Sequence, residues 1–343
     1  MKKIYLTVDV ECHDISLVNQ YIWGKSKKDE SGLKKILELG KEMDVIINFF
    51  VDFPEVIRYG EKYLLEIVSL IKSYNQPIHL HVHPNYISGN DYKTFLWEYS
   101  YKEQKEILEK SRKIYLDIMK AEPTSFRAGR YGVDENTYKA LYEVMPNIID
   151  CSYSNGNKKM CHLSKEIFGS RNGYKIFNKI KCIPTTSFII FDLFGIKKWM
   201  GIDLAQMHKM EYISFLKDIK GKDFILTMHS WHFIDRKFWN KTENVKIKSK
   251  EIKKFKEFIN LSKKEKYEFL EINLKNFNLK QSEDFEFNYP KNFKNKMFSL
   301  IINFLRFQEI SKINKKYFKL YLFFYISLII SIFMLFYFIK INL

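Results

Sequence analysis

Short β-rich apolar runs alternate with helical patterns along roughly the first 275 residues of this 343-residue chain. The runs fall at 4–8, 45–51, 78–82, 125–127, 148–151, 181–184, 224–228 and 269–272. Between them, segments 33–43, 61–74, 99–119, 135–143, 207–217 and 248–262 carry helical patterns. Alternation of this kind predicts an α/β domain with a mainly parallel sheet, open or closed into a barrel. No internal repeat is visible. With 46% hydrophobic and 28% charged residues the chain can bury a sizeable core and is not a disordered polymer.

In a parallel β/α barrel the chemistry sits at the C-terminal ends of the strands, so the polar residues after each run are the candidates. The first run ends in Asp9-Val10-Glu11. Residues i and i+2 of an extended chain point the same way. Two carboxylates so placed repel unless a cation or proton lies between them, which suggests a base beside a metal ligand. The third run ends in His79-Leu80-His81-Val82-His83-Pro84, which holds three of the chain's eight histidines. Imidazole suits Zn²⁺ and other divalent transition metals. The fourth leads into Arg127-Ala128-Gly129-Arg130-Tyr131-Gly132, where Arg127 can bond a carboxylate bidentately. Asp150 follows Ile148-Ile149, and a later run ends in Leu226-Thr227-Met228-His229-Ser230-Trp231. His229 is a candidate acid/base group there. Together these residues have the make-up of a metal-dependent hydrolase site: a metal-activated water, a carboxylate to take its proton, and an imidazolium to protonate the leaving group.

In the order of these motifs the chain resembles the polysaccharide deacetylase (NodB-homology, carbohydrate esterase family 4) superfamily, over about residues 1–275. The Asp9-Val10-Glu11 segment resembles the family's first motif in its D-V-E branch, which implies Asp9 as base and Glu11 as metal ligand. The second motif falls at 79–83, where either His79 with His83 or His81 with His83 completes the ligand set with Glu11. The third resembles Arg127-Ala128-Gly129-Arg130-Tyr131, without the family's proline; Arg127 would orient Asp9. The fourth is similar to Asp150-Cys151-Ser152 and the fifth to Leu226–His229, with His229 as general acid. Arg130, Tyr131, Asp150 and Trp231 complete the expected site on the substrate side. The resemblance implies a distorted (β/α)7 barrel, a divalent metal, most simply Zn²⁺, and removal of an N-acetyl or O-acetyl group from a sugar. Two other readings share this frame: an inactive, membrane-anchored sugar-binding scaffold, and a hydrolase of a non-sugar C–N amide bond.

The C-terminal part has a different character. Residues 276–319 shift to Asn, Lys and Phe and read as a basic tether, in which 298–307 could lie flat on a membrane or pack on the domain. Residues 320–339 contain no charge, and at about 1.5 Å per residue they could span a hydrocarbon core of about 30 Å. Arg306, Lys312, Lys315, Lys316 and Lys319 precede this stretch and only Lys340 follows. The positive-inside rule then puts the domain at 1–275 on the cytoplasmic face of a single-pass membrane protein. The first apolar run, about five residues, is shorter than a signal-peptide core of roughly 7–15. The formal net charge of +17 admits anionic partners, but no recognition helix or stacking platform points to nucleic acid. The four cysteines form no C-x-x-C pair and read as reduced thiols.

Overall fold

The computed structural model describes residues 2–26, 29–154, 160–163, 175–193, 196–219, 222–235 and 245–276. The tether from 277 onward and the apolar segment 320–339 lie outside the described residues. Among the described residues no helix is long and apolar enough to cross a membrane. The main unit comprises Met1–Phe188 and Met200–Phe287. Of the described residues, those within Ile189–Trp199 fall in a second unit.

The strands are β1 (Lys2–Val10), β2 (Ile47–Asp52), β3 (Ile78–Val82), β4 (Ser125–Ala128), β5 (Ile149–Asp150), β6 (Lys175–Phe177), β7 (Ile180–Cys182), β8 (Ser187–Leu193), β9 (Ile196–Gly201), β10 (Phe224–His229) and β11 (Tyr267–Phe269). The helices are α1 (Leu33–Glu42), α2 (Val56–Tyr59), α3 (Glu61–Ser73), α4 (Pro84–Ser88), α5 (Tyr101–Met119), α6 (Glu135–Val144), α7 (Lys209–Asp218) and α8 (Ser249–Lys264). The main sheet runs in the order β10-β1-β2-β3-β4-β5-β7-β6, with β11 also paired to β1. All of these pairings are parallel except β6 with β7. The two-stranded pair β8-β9 forms a separate sheet, which the sequence pattern did not reveal.

Why these segments fold as they do follows from their residues. Every residue of β2 and β3 is buried, as expected for parallel strands covered on both faces. Helix α5 opens on a capping box: Ser100 Oγ accepts the Glu103 N–H while the Glu103 carboxylate accepts the Ser100 N–H. Asp134 caps α6 by accepting the Thr137 N–H at 2.9 Å. Tyr5, Phe50, Ile149, Cys151, Ile183, Ile225 and Ile272 form one buried cluster. They come from β1, β2, β5 and β10 and from the segments after β7 and β11, so the sheet curls around a shared interior although β5 and β10 do not pair. The result is an open, curled α/β sheet, the half-barrel form of the expected architecture.

Asn48, buried in β2, staples this frame. Its Nδ2 donates to the Leu6 and Leu270 carbonyls, and its Oδ1 accepts the Ile272 N–H at 2.8 Å. Because β1, β2, β3, β4 and β10 run parallel, the segments that follow them emerge on one side of the sheet. The β1–β10 register sets Asp9 directly beside His229.

Candidate active site

Arg127 is fully buried and every arm of its guanidinium is engaged. Nη1 donates to Asp9 Oδ1, Nη2 to Thr7 Oγ1 at 3.1 Å, and Nε to the Cys151 carbonyl at 3.3 Å. The group also lies 4.1 Å from the Phe50 ring centroid. Burial works against its charge, but Asp9 outweighs that and raises its pKa. Arg127 therefore fixes the position of Asp9.

Glu11 is the hub of the site. His83 Nε2 lies 2.5 Å and His81 Nε2 3.4 Å from its Oε2. Its other oxygen, Oε1, faces His13 Nε2 at 3.7 Å and His229 Nε2 at 3.9 Å. One buried carboxylate is thus surrounded by four imidazoles. Burial pushes the Glu11 pKa up, but the contacts with His83 and His81 outweigh it and hold the group well below the usual carboxylate range. His81 Nδ1 lies 3.0 Å from the Arg127 carbonyl, which can only accept. With Nδ1–H as that donor, Nε2 faces the Glu11 carboxylate either with a second proton or with its lone pair. Lone pair against carboxylate is favourable only with a proton or a cation between them, and the donor set suits a divalent transition metal. The nitrogen and oxygen donors of Glu11, His13 and His83 all lie within 4.8 Å of one another.

The expected residues do not all meet. Asp9, Glu11, His81, His83, Arg127 and His229 converge; His79 does not. It shares the strand face but lies deeper, with Nε2 3.0 Å from Asn48 Oδ1 and Nδ1 3.3 Å from Thr124 Oγ1. Both ring nitrogens are occupied, and burial together with the nearby Arg127 charge lowers its pKa to about 3. Between the two ligand registers left open by the sequence, the geometry brings His81 and His83 to Glu11. Asp150 is also withdrawn from solvent. It accepts from Tyr138 Oη at 2.7 Å and from Ser152 Oγ at 2.5 Å, and Ser152 Oγ in turn accepts the Ala128 N–H at 2.8 Å. Asp150 thereby braces the end of β4 and has no open face for substrate.

Trp231, only 5% exposed, stacks on His229 with centroids 4.5 Å apart. Tyr21 packs edge-on against Trp231 at 5.1 Å and against His13 at 5.4 Å. Arg130 and Tyr131 occupy consecutive left-handed positions, φ 55° and 60°, so the loop turns sharply after β4. Arg130 is exposed, with its guanidinium 5.9 Å from the Phe95 centroid, and Tyr131 is half-buried beside Arg127. His13 escaped the sequence reading. It continues the period-2 alternation of Asp9 and Glu11 past the end of β1, and that spacing was its available signal.

No protein-family model and no curated protein matches the chain. It is similar in structure to polysaccharide deacetylases of carbohydrate esterase family 4. A Mycobacterium smegmatis protein assigned as a polysaccharide deacetylase aligns with TM-score 0.49 and 13% identity, over 78% of this chain and 86% of that one. A family 4 carbohydrate esterase from Streptomyces lividans, solved with acetate, gives 0.44 and 6%, over 82% and 97%. A pseudoenzyme of that family from Bacillus anthracis gives 0.40 and 14%, over 79% and 66%.

Proposed function

We propose that this chain is a metal-dependent hydrolase that removes an acetyl group, most simply an N-acetyl group, from a sugar. The observation that carries the reading is the Glu11 carboxylate surrounded by four imidazoles, beside an Asp9 held by buried Arg127. Glu11, His81 and His83 would hold the ion, with His13 within reach of the same carboxylate. A divalent ion bound there supplies an activated water and positive charge for a developing oxyanion. The chain's own groups do the rest. Asp9, oriented by Arg127, accepts the proton of the nucleophile. His229, braced by Trp231, holds a proton for the departing amine. Tyr21 and Trp231 form one wall of the site beside His13 and His229.

The full chain in detergent should release acetate from an N-acetylated amino sugar, lose that activity on chelation, and regain it with Zn²⁺. Asp9→Asn should lower the rate by about 10²–10⁴-fold, the usual effect of deleting a catalytic acid or base. Metal uptake with turnover only on non-sugar amides would move the substrate class. No metal uptake at all would favour the sugar-binding scaffold.

The uncharged segment 320–339 and the basic residues before it support a membrane anchor with the domain on the cytoplasmic face. A nucleotide-activated or lipid-linked sugar used in building a surface glycan is the substrate that such a position would offer. Protease added from the outside to cells with a permeabilised outer envelope should leave the domain intact; digestion there would reverse the assignment.

A further inference from the structure

We infer that Asp52 and Glu55, on the turn that closes β2, are positioning residues that hold the Glu11, His13 and His83 side chains in register; the inference rests on the metal-hydrolase reading above. Neither residue belongs to any of the motifs that pointed to the site. Asp52 ends β2, and a short 3₁₀ turn, Phe53–Glu55 with Pro54 inside it, carries the chain into α2. Proline fixes its own backbone φ, so the two carboxylates leave a stiff turn.

Cys12 is the link between Glu11 and His13. The β1 strand ends at Val10, so the sheet ladder no longer fixes the Cys12 backbone. Side chains do so instead. The Cys12 N–H donates to Glu55 Oε1, and the Cys12 carbonyl accepts from Tyr86 Oη at 3.2 Å. The other Glu55 oxygen accepts from Tyr63 Oη at 2.8 Å, which locks the carboxylate itself. Asp52 acts on the other half of the cluster: its Oδ1 accepts the His83 N–H at 3.4 Å. One turn therefore grips the backbone of both segments that carry the donors.

The cost of this arrangement argues that it is functional. Asp52 and Glu55 are 0% and 1% exposed, and among the described residues no lysine or arginine pairs with either. Asp52 Oδ2 has no hydrogen-bond partner. An unsatisfied buried oxygen in a native fold calls for a reason, and two polar carboxyl groups enclosed side by side cost more than apolar residues would in the same places.

The test uses the full chain in detergent, with Glu55→Leu, Glu55→Gln and Tyr86→Phe. Two readouts are taken: deuterium uptake of residues 11–13 in the metal-free protein, and Co²⁺ affinity together with the cobalt visible spectrum. Glu55→Leu should raise uptake at 11–13 but not in β3, and weaken Co²⁺ binding by about 10–100-fold, the scale for losing a group that orients a ligand. Glu55→Gln retains an acceptor for the Cys12 N–H and should restore both. Tyr86→Phe should fall between them. A folded Glu55→Leu protein with wild-type uptake, affinity and spectrum overturns the inference. Should that variant fail to fold, Tyr63→Phe, which frees the Glu55 carboxylate, takes its place, and wild-type uptake, affinity and spectrum in it overturn the inference. If wild-type protein takes up no Co²⁺, the metal reading fails, and deuterium uptake alone decides the positioning role.

Discussion

His79 and His83 stand four residues apart on one strand face, and their surroundings give them opposite fates. His83 ends beyond β3 and meets Glu11 at 2.5 Å. His79 is held between Asn48 and Thr124, where it completes a buried hydrogen-bond set. Removing His83 should weaken divalent-metal binding by more than the roughly 10–100-fold that loss of an orienting partner costs. Removing His79 should leave metal affinity near wild type and lower stability by about 2–4 kcal/mol, because it opens a cavity and leaves Thr124 and Asn48 short of a partner. Chelator competition and chemical denaturation of His79→Ala and His83→Ala separate the two. Equal loss of metal affinity in both variants would return His79 to the ligand set. Arg127 makes the same point: expected as the partner that orients Asp9, it lies on β4 and is, among the described residues, the largest side chain that is fully buried.

Elements explain which parts of this site could be read in advance. The strands that carry Asp9, the histidine run, Arg127 and His229 have apolar, β-rich sequences, and β3 spans the expected 78–82. What lay past a strand end was legible only where a recognisable residue stood there. Asp52 sits directly after the expected run at 45–51, as Asp9 does after 4–8, but a lone aspartate without a neighbouring carboxylate or histidine looks like a solvated loop. Glu55 acts through a turn whose geometry no periodicity encodes, and His13, although it keeps the alternation of Asp9 and Glu11, stands past the end of β1. The loop after β4 shows another device hidden from sequence: a methyl group on Gly129 would lie 2.6 Å from the His83 ring, so that glycine is required by close approach. The strand pair β8–β9 was missed, and β5 is shorter than expected because its ends are set by its pairing with β4 and β7.

At the scale of the whole molecule, the buried titratable groups away from the donor cluster make stability depend on pH in opposite directions. His79 and His232 are pushed down to about 3 and about 4, chiefly by burial, with Arg127 adding to the effect on His79. Unfolded chains protonate these histidines first, near pH 6.5, so their contribution is present above that value and is lost as pH falls. Asp150 works the other way. Burial raises its pKa to about 6, although the Ser152 and Tyr138 hydrogen bonds and Arg127 pull it down. The folded state then holds its proton from about pH 6 downward, while the unfolded state takes it up only near pH 4. Its contribution is complete below roughly pH 4 and is lost as pH rises through about 6, a swing of about 3 kcal/mol at about 1.4 kcal/mol per pH unit. Asp150→Asn removes that proton and leaves the histidines untouched. Guanidinium denaturation from pH 3 to 7 should therefore show wild type gaining on the variant by about 3 kcal/mol as the solution is acidified, whatever the offset between them at neutral pH. A difference that stays constant across that range would mean that Asp150 is ionised throughout, and that its bonds to Tyr138 and Ser152 fully offset its burial.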